Sequence, residues 1–218
     1  FRNMKRVRFD DEVFPFDQDW MEEFVEQYPK EIGLPFQCFV QPVLVNRDYV
    51  AQLKKAGLET VFMGIQNSEL TNQKFYNRSG SDQQVRQAVE LFREFKVEGS
   101  YHIILDNPLS DTEEKEHTVS FLLNLPRPFH IFLFSLTNFP NTAMTDILLE
   151  KGIITEGEVE GLGGTKTFRQ YRVDLAYPRP REDLFYLSII ILLTKRFLPK
   201  WLIRRLWKSR YFRSHPKP

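Results

Sequence analysis

Apolar residues recur along this chain with two alternating periods. Short runs of β-branched and aromatic residues predict strands at Arg6–Phe9, Phe36–Val40, Thr60–Ile65, Ser100–Leu105 and Phe129–Leu136. Helical spacing fills the intervals. Trp20, Phe24 and Tyr28 lie four apart within Asp17–Lys30. Asn46 is placed to cap a helix that carries Tyr49, Val50 and Leu53 and stops at Gly57. Ser81 or Asp82 opens a helix with Val85, Val89, Leu91, Phe92 and Phe95. Asp111 opens another, with Glu114 three residues on in capping-box spacing and Val119, Leu122 and Leu123 on its apolar face. Thr142–Lys151 reads as a helix stopped by Gly152.

Strand, crossover helix, strand in regular order predicts a parallel sheet in an α/β protein. Several strands are continuously apolar, as expected when both faces are covered. The repetition fits a (β/α) barrel, or part of one, better than a small open sheet, and the pattern leaves a doubly wound sheet open. The rhythm breaks after Gly152. Glu156–Lys166 (EGEVEGLGGTK) is acidic and then Gly-rich, Phe168–Asp174 reads as a short strand, and Pro178 and Pro180 mark a boundary. The expected organisation is therefore a barrel region over residues 1–154, a linker over 155–180 and a helical extension over 181–218. That extension reads as two helices around Pro199, the second basic and rich in Trp and Leu.

Composition sharpens this picture in three ways. First, the 218 residues and 42% hydrophobic content suffice for one full core. Second, the net charge of +1 hides an asymmetry. Nine of the 30 basic residues lie between Lys195 and Pro218, which contains no Asp or Glu; the other 21 face 29 acidic residues. Third, Cys38 is the only cysteine, so no internal disulfide and no all-cysteine metal site is available within the chain. This suits a reducing, cytoplasmic setting. The longest apolar run, Leu184–Leu193, is interrupted only by Ser188 and is well short of the roughly 20 residues that span a bilayer.

Ligands of parallel α/β proteins bind at the carboxyl ends of the strands. The predicted strands end in polar clusters there: Asp10 and Asp11; Gln41 and Pro42; Gly64, Gln66, Asn67 and Ser68; Asp106, Asn107 and Pro108; Ser135, Thr137 and Asn138. The opposite ends carry Lys5, Arg6, Pro35, Glu59, Gly99 and Pro128, which read as ordinary loop starts. Each cluster also has a purely structural reading. Asp10 and Asp11 could form a turn, Asn67 or Ser68 could cap the next helix, and Asp106–Pro108 could be a simple turn. Arg78 could be a surface charge. His102 and His130 read as core histidines rather than metal ligands, and Cys38 as a small core residue.

The order RVRFDDEVF, LPFQCFVQP, AGLETVFMGIQNSE, FYNRS, GSYHIILDNPLSDTEE, LPRPFHIFLFSLTNFPNT resembles the radical S-adenosylmethionine (SAM) superfamily, most closely its cobalamin-binding branch. The resemblance covers Phe1 to about Ile154. It implies an α/β fold, a partial (β/α)6 TIM-like barrel of which this chain holds strands two to six, with the C-terminal helical extension beyond it. The family's Cys-x3-Cys-x2-Cys loop, which holds a [4Fe–4S] cluster after the first strand, does not occur here; the resemblance places that loop and any cobalamin domain upstream of Phe1. This chain alone is then expected to be unable to start a radical reaction.

The resemblance also implies roles. Asp10 and Asp11 would lie near the SAM amino group, where a carboxylate pairs with an ammonium by charge-assisted hydrogen bonds. Gln41 would lie at the same end of the barrel. Gly64 would let backbone approach a nucleoside, and Gln66, Asn67 and Ser68 would meet the ribose hydroxyls and the methionyl part, although Asn67 departs from the family's usual Ser. Arg78 would lie near the SAM carboxylate, Asp106 and Asn107 near adenine, and Ser135 with the Phe139–Thr142 turn near adenine and substrate. In such enzymes the cluster cleaves SAM to a 5′-deoxyadenosyl radical that abstracts a substrate hydrogen, and the cofactors carry the hard chemistry. The implied partners are a small-molecule substrate and an electron donor such as flavodoxin or ferredoxin.

The tail KRFLPKWLIRRLWKSRYFR (Lys195–Arg213) reads first as a helical cap with a solvated basic face, then as a peripheral membrane contact, and least as a nucleic-acid contact. The expected function is the C-terminal portion of a radical SAM enzyme that performs methyl transfer or rearrangement. The alternatives are a barrel that has lost its cluster and serves as a binding or membrane-docking module, and a methylthiotransferase-like enzyme without cobalamin.

Overall fold

The structure, a computed structural model, describes residues 3–76, 80–104, 107–134, 136–159 and 181–215, with backbone alone at 181–183. Five strands form one sheet in the order β1-β2-β3-β4-β5: β1 Val7–Arg8, β2 Phe36–Val40, β3 Leu58–Gln66, β4 Glu98–Ile104 and β5 His130–Phe134. Sequential order with helices between the strands is the topology of part of a TIM-like barrel. β1 and β2 are parallel with Val7 opposite Phe36, and β2 and β3 are parallel with Phe39 opposite Phe62. A bulge between Phe36 and Gln37 resets the register, so Gln37 pairs with Thr60. Glu59 and Gly99, expected in loops, lie inside β3 and β4, because pairing extends both strands toward their amino ends.

The intervening helices are α1 Gln18–Glu31, α2 Arg47–Ala56, α3 Glu69–Phe75, α4 Asp82–Glu94, α5 Thr112–Asn124 and α6 Ala143–Glu150. The residues that start them are legible in the sequence. Asp17 accepts from the Trp20 amide and Asn46 from the Tyr49 amide. Ser81 and Gln84 form a reciprocal capping box, as do Asp111 and Glu114. Each such cap contributes about 1 kcal/mol. Gly57 ends α2 at φ +112, a conformation that disfavours residues with a Cβ.

The chain divides into two compact units whose boundaries fall within β3, β4, α5 and β5 and between Arg78 and Ser79. The first comprises Phe1–Ile65, Ser79–His102 and Asn124–Phe132. Its core is aromatic. Phe14 packs within 5.1 Å of Phe9 and 5.3 Å of Phe24, and Phe36 lies 5.4 Å from Tyr28. Edge-to-face pairs of this kind add to the burial term. Phe36, Cys38 and Val40 are fully buried and alternate with half-buried Gln37 and Phe39, so one face of β2 is sealed and the other is more open.

The second unit comprises Gln66–Arg78, Ile103–Leu123 and Leu133–Pro218. Buried in it are Val119 and Leu122 of α5, Leu148 of α6, and Phe185, Tyr186, Ile189 and Ile190 of α7 (Arg181–Leu193). Two further helices follow, α8 Lys200–Trp207 and α9 Arg210–Ser214. The expected single helix after Pro199 is thus broken in two, because the Ser209 side chain accepts from the Phe212 amide and starts α9 afresh. Glu116 of α5 accepts from the Tyr186 hydroxyl at 2.9 Å and from the Arg213 guanidinium, which also sits over the Phe185 ring. The predicted strand at Phe168–Asp174 and most of the predicted linker lie outside the described residues.

Candidate functional site

β3 ends on Gln66, a non-glycine residue at φ +63. That conformation is costly and persists only where its surroundings enforce it. The enforcing contacts come from the next residue. Asn67 donates its Nδ2 to the Ile104 carbonyl at the end of β4, and its Oδ1 accepts from the Ser68 amide at 2.9 Å and from the Thr118 hydroxyl of α5. The Asn67 carbonyl accepts from Asn72 at 2.9 Å. Asn67 therefore ties β3, β4, α3 and α5 together, and both polar ends of its side chain are engaged inside the chain.

The residues that follow have unsatisfied capacity. Ser68 occupies the N-cap position of α3, yet its side chain makes no capping bond. Its Oγ is buried and lacks any hydrogen-bond partner, as does Nδ2 of Asn107, just beyond the end of β4. Oδ1 of Asn107 is engaged, accepting from the Leu109 amide at 2.9 Å. A buried polar atom without a partner invites a water, an ion or a ligand, and Thr71 Oγ1 and Ser110 Oγ in the same unit share that state. The unit thus presents a hydroxyl and an amide N–H₂ at the carboxyl ends of two strands, where parallel α/β proteins bind ligands.

Lys74 and Glu114 support this region. The Glu114 side chain is 2% exposed; one oxygen accepts from Lys74 Nζ at 2.7 Å and the other from the Asp111 amide at 3.0 Å. The hydrogen bond to Glu114 raises the Lys74 pKa above its ordinary value.

A second cluster lies in the other unit. Arg8 stands over the Phe62 ring at 4.7 Å and the Phe39 ring at 5.4 Å, and its Nε pairs with Asp10 at 2.6 Å. His102 of β4 packs 5.7 Å from Phe39 and 5.7 Å from Phe132 of β5. Burial, aided by the Arg8 charge, lowers the His102 pKa to about 4, so the imidazole is neutral at physiological pH. This row of Arg8, Phe39, Phe62, His102 and Phe132 runs across all five strands. Strand alternation placed these residues on one face, but nothing local marked Arg8 as their partner.

The other anticipated residues are more scattered. Asp11 is exposed. Gln41 is exposed at the start of the Pro42–Leu44 turn and makes no side-chain cap. Gly64 is a half-buried interior residue of β3. Arg78, Asp106 and Ser135 lie outside the described residues. His130 is not a core residue: it is exposed as the first residue of β5 and pairs with Glu98 at 2.8 Å, while its neighbour Phe129 takes the buried position. Cys38 is buried in β2, and burial pushes its thiol pKa up to about 12.

Comparison with solved structures finds the same architecture elsewhere. The radical S-adenosylmethionine methyltransferase TsrM from Kitasatospora setae, with cobalamin and a [4Fe–4S] cluster bound, matches with a TM-score of 0.59 at 17% identity, over 69% of this chain and 29% of that one. TsrM with tryptophan and the SAM analogue aza-SAM matches with a TM-score of 0.53 at 17% identity, over 61% and 27% of the two chains. Coproporphyrinogen III oxidase (HemN) from Escherichia coli, a radical SAM enzyme, matches with a TM-score of 0.51 at 12% identity, over 95% of this chain and 67% of that one. The fold is that of the radical SAM enzymes. This chain spans about three tenths of the TsrM chain. No protein-family profile and no curated protein sequence matches it.

Of the groups bound to radical SAM enzymes with this fold, the residues present fit some and not others. The iron–sulfur cluster has no fit here. Among the described residues no trio of His, Cys, Asp or Glu is placed to hold a metal, and the one thiol is locked in the sheet as a neutral group. At the β3–β4 end the unpartnered groups are the Ser68 hydroxyl and the Asn107 amide, whose chemistry matches that of hydroxyls and ring nitrogens.

Proposed function

We propose that this chain is a portion of a radical SAM enzyme of the cobalamin-dependent branch, acting by methyl transfer or rearrangement on a small molecule. Its cluster-binding cysteines lie in sequence outside this chain. The observation that carries this reading is the pair of buried, partnerless polar atoms at the ends of β3 and β4, Ser68 Oγ and Asn107 Nδ2, on a radical SAM fold.

The residues here bind and orient SAM. Gln66 and Ser68 meet the ribose hydroxyls, and the Asn107 amide donates on the adenine side. Asn67 is a positioning residue: it fixes the β3 end so that its neighbours face the nucleoside. The likeness to TsrM, whose structure holds cobalamin, favours the cobalamin branch.

The direct test is to add SAM to the isotopically labelled 218-residue chain and follow backbone amide resonances by NMR. The expected outcome is a saturable shift of the Gln66, Ser68 and Asn107 amides that weakens in Ser68→Ala. Unmoved amides at saturating SAM overturn the placement. Sequencing the coding DNA upstream of the Phe1 codon tests the remainder. A reading frame that continues into Cys-x3-Cys-x2-Cys supports the enzyme, and an adjacent start codon defeats it.

A further inference from the structure

The helix α8 presents two unlike faces. Ile203 is fully buried, and Leu206 and Trp207 on the same side are half-buried. At 100° per residue, Trp201, Arg204, Arg205 and Lys208 fall within an arc of about 100° on the opposite side. All four are exposed, Trp201 to 64%. Phe197, just before the helix, is 81% exposed, and Tyr211 in α9 is 74% exposed. Lys195, Arg196 and Arg210 are exposed beside these aromatics. The packing residues of the helix therefore account for its attachment to the unit. They do not account for an indole and a phenyl ring held in water among cations.

That combination has a specific chemistry. An indole and a phenyl ring gain by leaving water for an acyl boundary, while Lys and Arg beside them meet phosphate and carboxylate headgroups. Residues 195–218 contain no Asp or Glu side chain that would oppose an anionic surface. Arg and Lys also read guanine and aromatic rings stack bases, but adenine and cytosine edges are read by amide, carboxylate and hydroxyl side chains. Residues 195–215 contain no Asn, Gln or Thr, and both serines are engaged with local backbone, Ser209 capping α9 and Ser214 bonding to the Arg210 and Tyr211 carbonyls. Among the described residues no helix is long and apolar enough to cross a membrane.

We propose that Phe197, Trp201 and the Arg204–Arg205–Lys208 face of α8 form a docking surface for an anionic lipid bilayer. The aromatics insert at the headgroup boundary and the cations hold the phosphates. This surface uses none of the residues of the β3–β4 site and does not rest on the proposed reaction.

The test is co-sedimentation of the whole chain with phosphatidylcholine vesicles that contain or lack phosphatidylserine, together with a single-stranded oligonucleotide binding assay. The expected result is binding to the anionic vesicles only. Phe197→Ser/Trp201→Ser and, separately, Arg204→Glu/Arg205→Glu each lower the bound fraction by about tenfold. All four positions are exposed, so the fold survives, and circular dichroism verifies this. No binding to anionic vesicles, equal binding to neutral ones, or unchanged binding by both variants overturns the proposal. So does tight oligonucleotide binding without vesicle binding.

Discussion

The Asn67 carboxamide donates to the Ile104 carbonyl at 3.1 Å, joining the carboxyl end of β3 to that of β4. Asn67→Ala removes this bond and the acceptor of the Ser68 amide, while the Thr118 hydroxyl keeps the Glu114 carbonyl at 3.0 Å. The expected loss is about 2–3 kcal/mol of unfolding free energy, because the Ile104 carbonyl and the Ser68 amide both lose the Asn67 side chain. Urea denaturation followed by circular dichroism measures it. A change below about 0.5 kcal/mol would show that the Asn67 clamp carries no such weight.

Ser68 behaves in the opposite sense. Its Oγ is buried without a partner, so Ser68→Ala removes a desolvation cost and leaves stability unchanged or raised by up to about 1 kcal/mol. The same change is expected to weaken SAM binding. Thermal melts with and without SAM read both effects, and a destabilised variant would mean that the hydroxyl already has a partner within the protein.

His102 gives a pH dependence with a definite sign. Its pKa falls from 6.5 to about 4 on folding, first because of burial and then because of Arg8. The unfolded chain therefore binds the proton more readily between those values, and stability falls as pH drops from 6.5 toward 4. His102→Phe keeps an aromatic ring in the cluster and is expected to flatten this part of the stability–pH curve. Identical slopes for the two proteins would contradict the assignment.

Glu114 serves two elements at once, closing the capping box of α5 and accepting from Lys74 of α3. Lys74→Met strands the buried Glu114 carboxylate and is expected to cost at least as much as Glu114→Ala, which removes the box and the pair but leaves no buried charge. Comparing the urea midpoints of the two variants decides the order.

Cys38 is expected to resist alkylation by iodoacetamide in the folded chain and to react at once in denaturant. Burial both shields the sulfur and keeps it protonated. Rapid labelling of the native protein would open the thiol to ligand chemistry after all.

Much of the architecture was determined by the sequence alone. The alternation of strand-period and helix-period segments, with caps at Asp17, Asn46, Ser81 and Asp111, specifies the order of elements because those signals act within a few residues. The carboxyl-end clusters at Gln66–Ser68 and Asn107 could be named for the same reason, since parallel topology tells which strand end faces a ligand. Which of those groups are free was decided only by tertiary structure. Asn67 and Ser68 are adjacent polar residues of similar character. Contacts with Ile104 and Thr118, 37 and 51 residues away, engage one and leave the other's hydroxyl unpartnered. The same holds for Arg8 above Phe39 and Phe62, for the Ser209 break between α8 and α9, and for the outward turn of Trp201. Hydrogen bonds and packing between distant segments depend on register and on competition for a few shared partners, and no local pattern encodes the outcome of that competition.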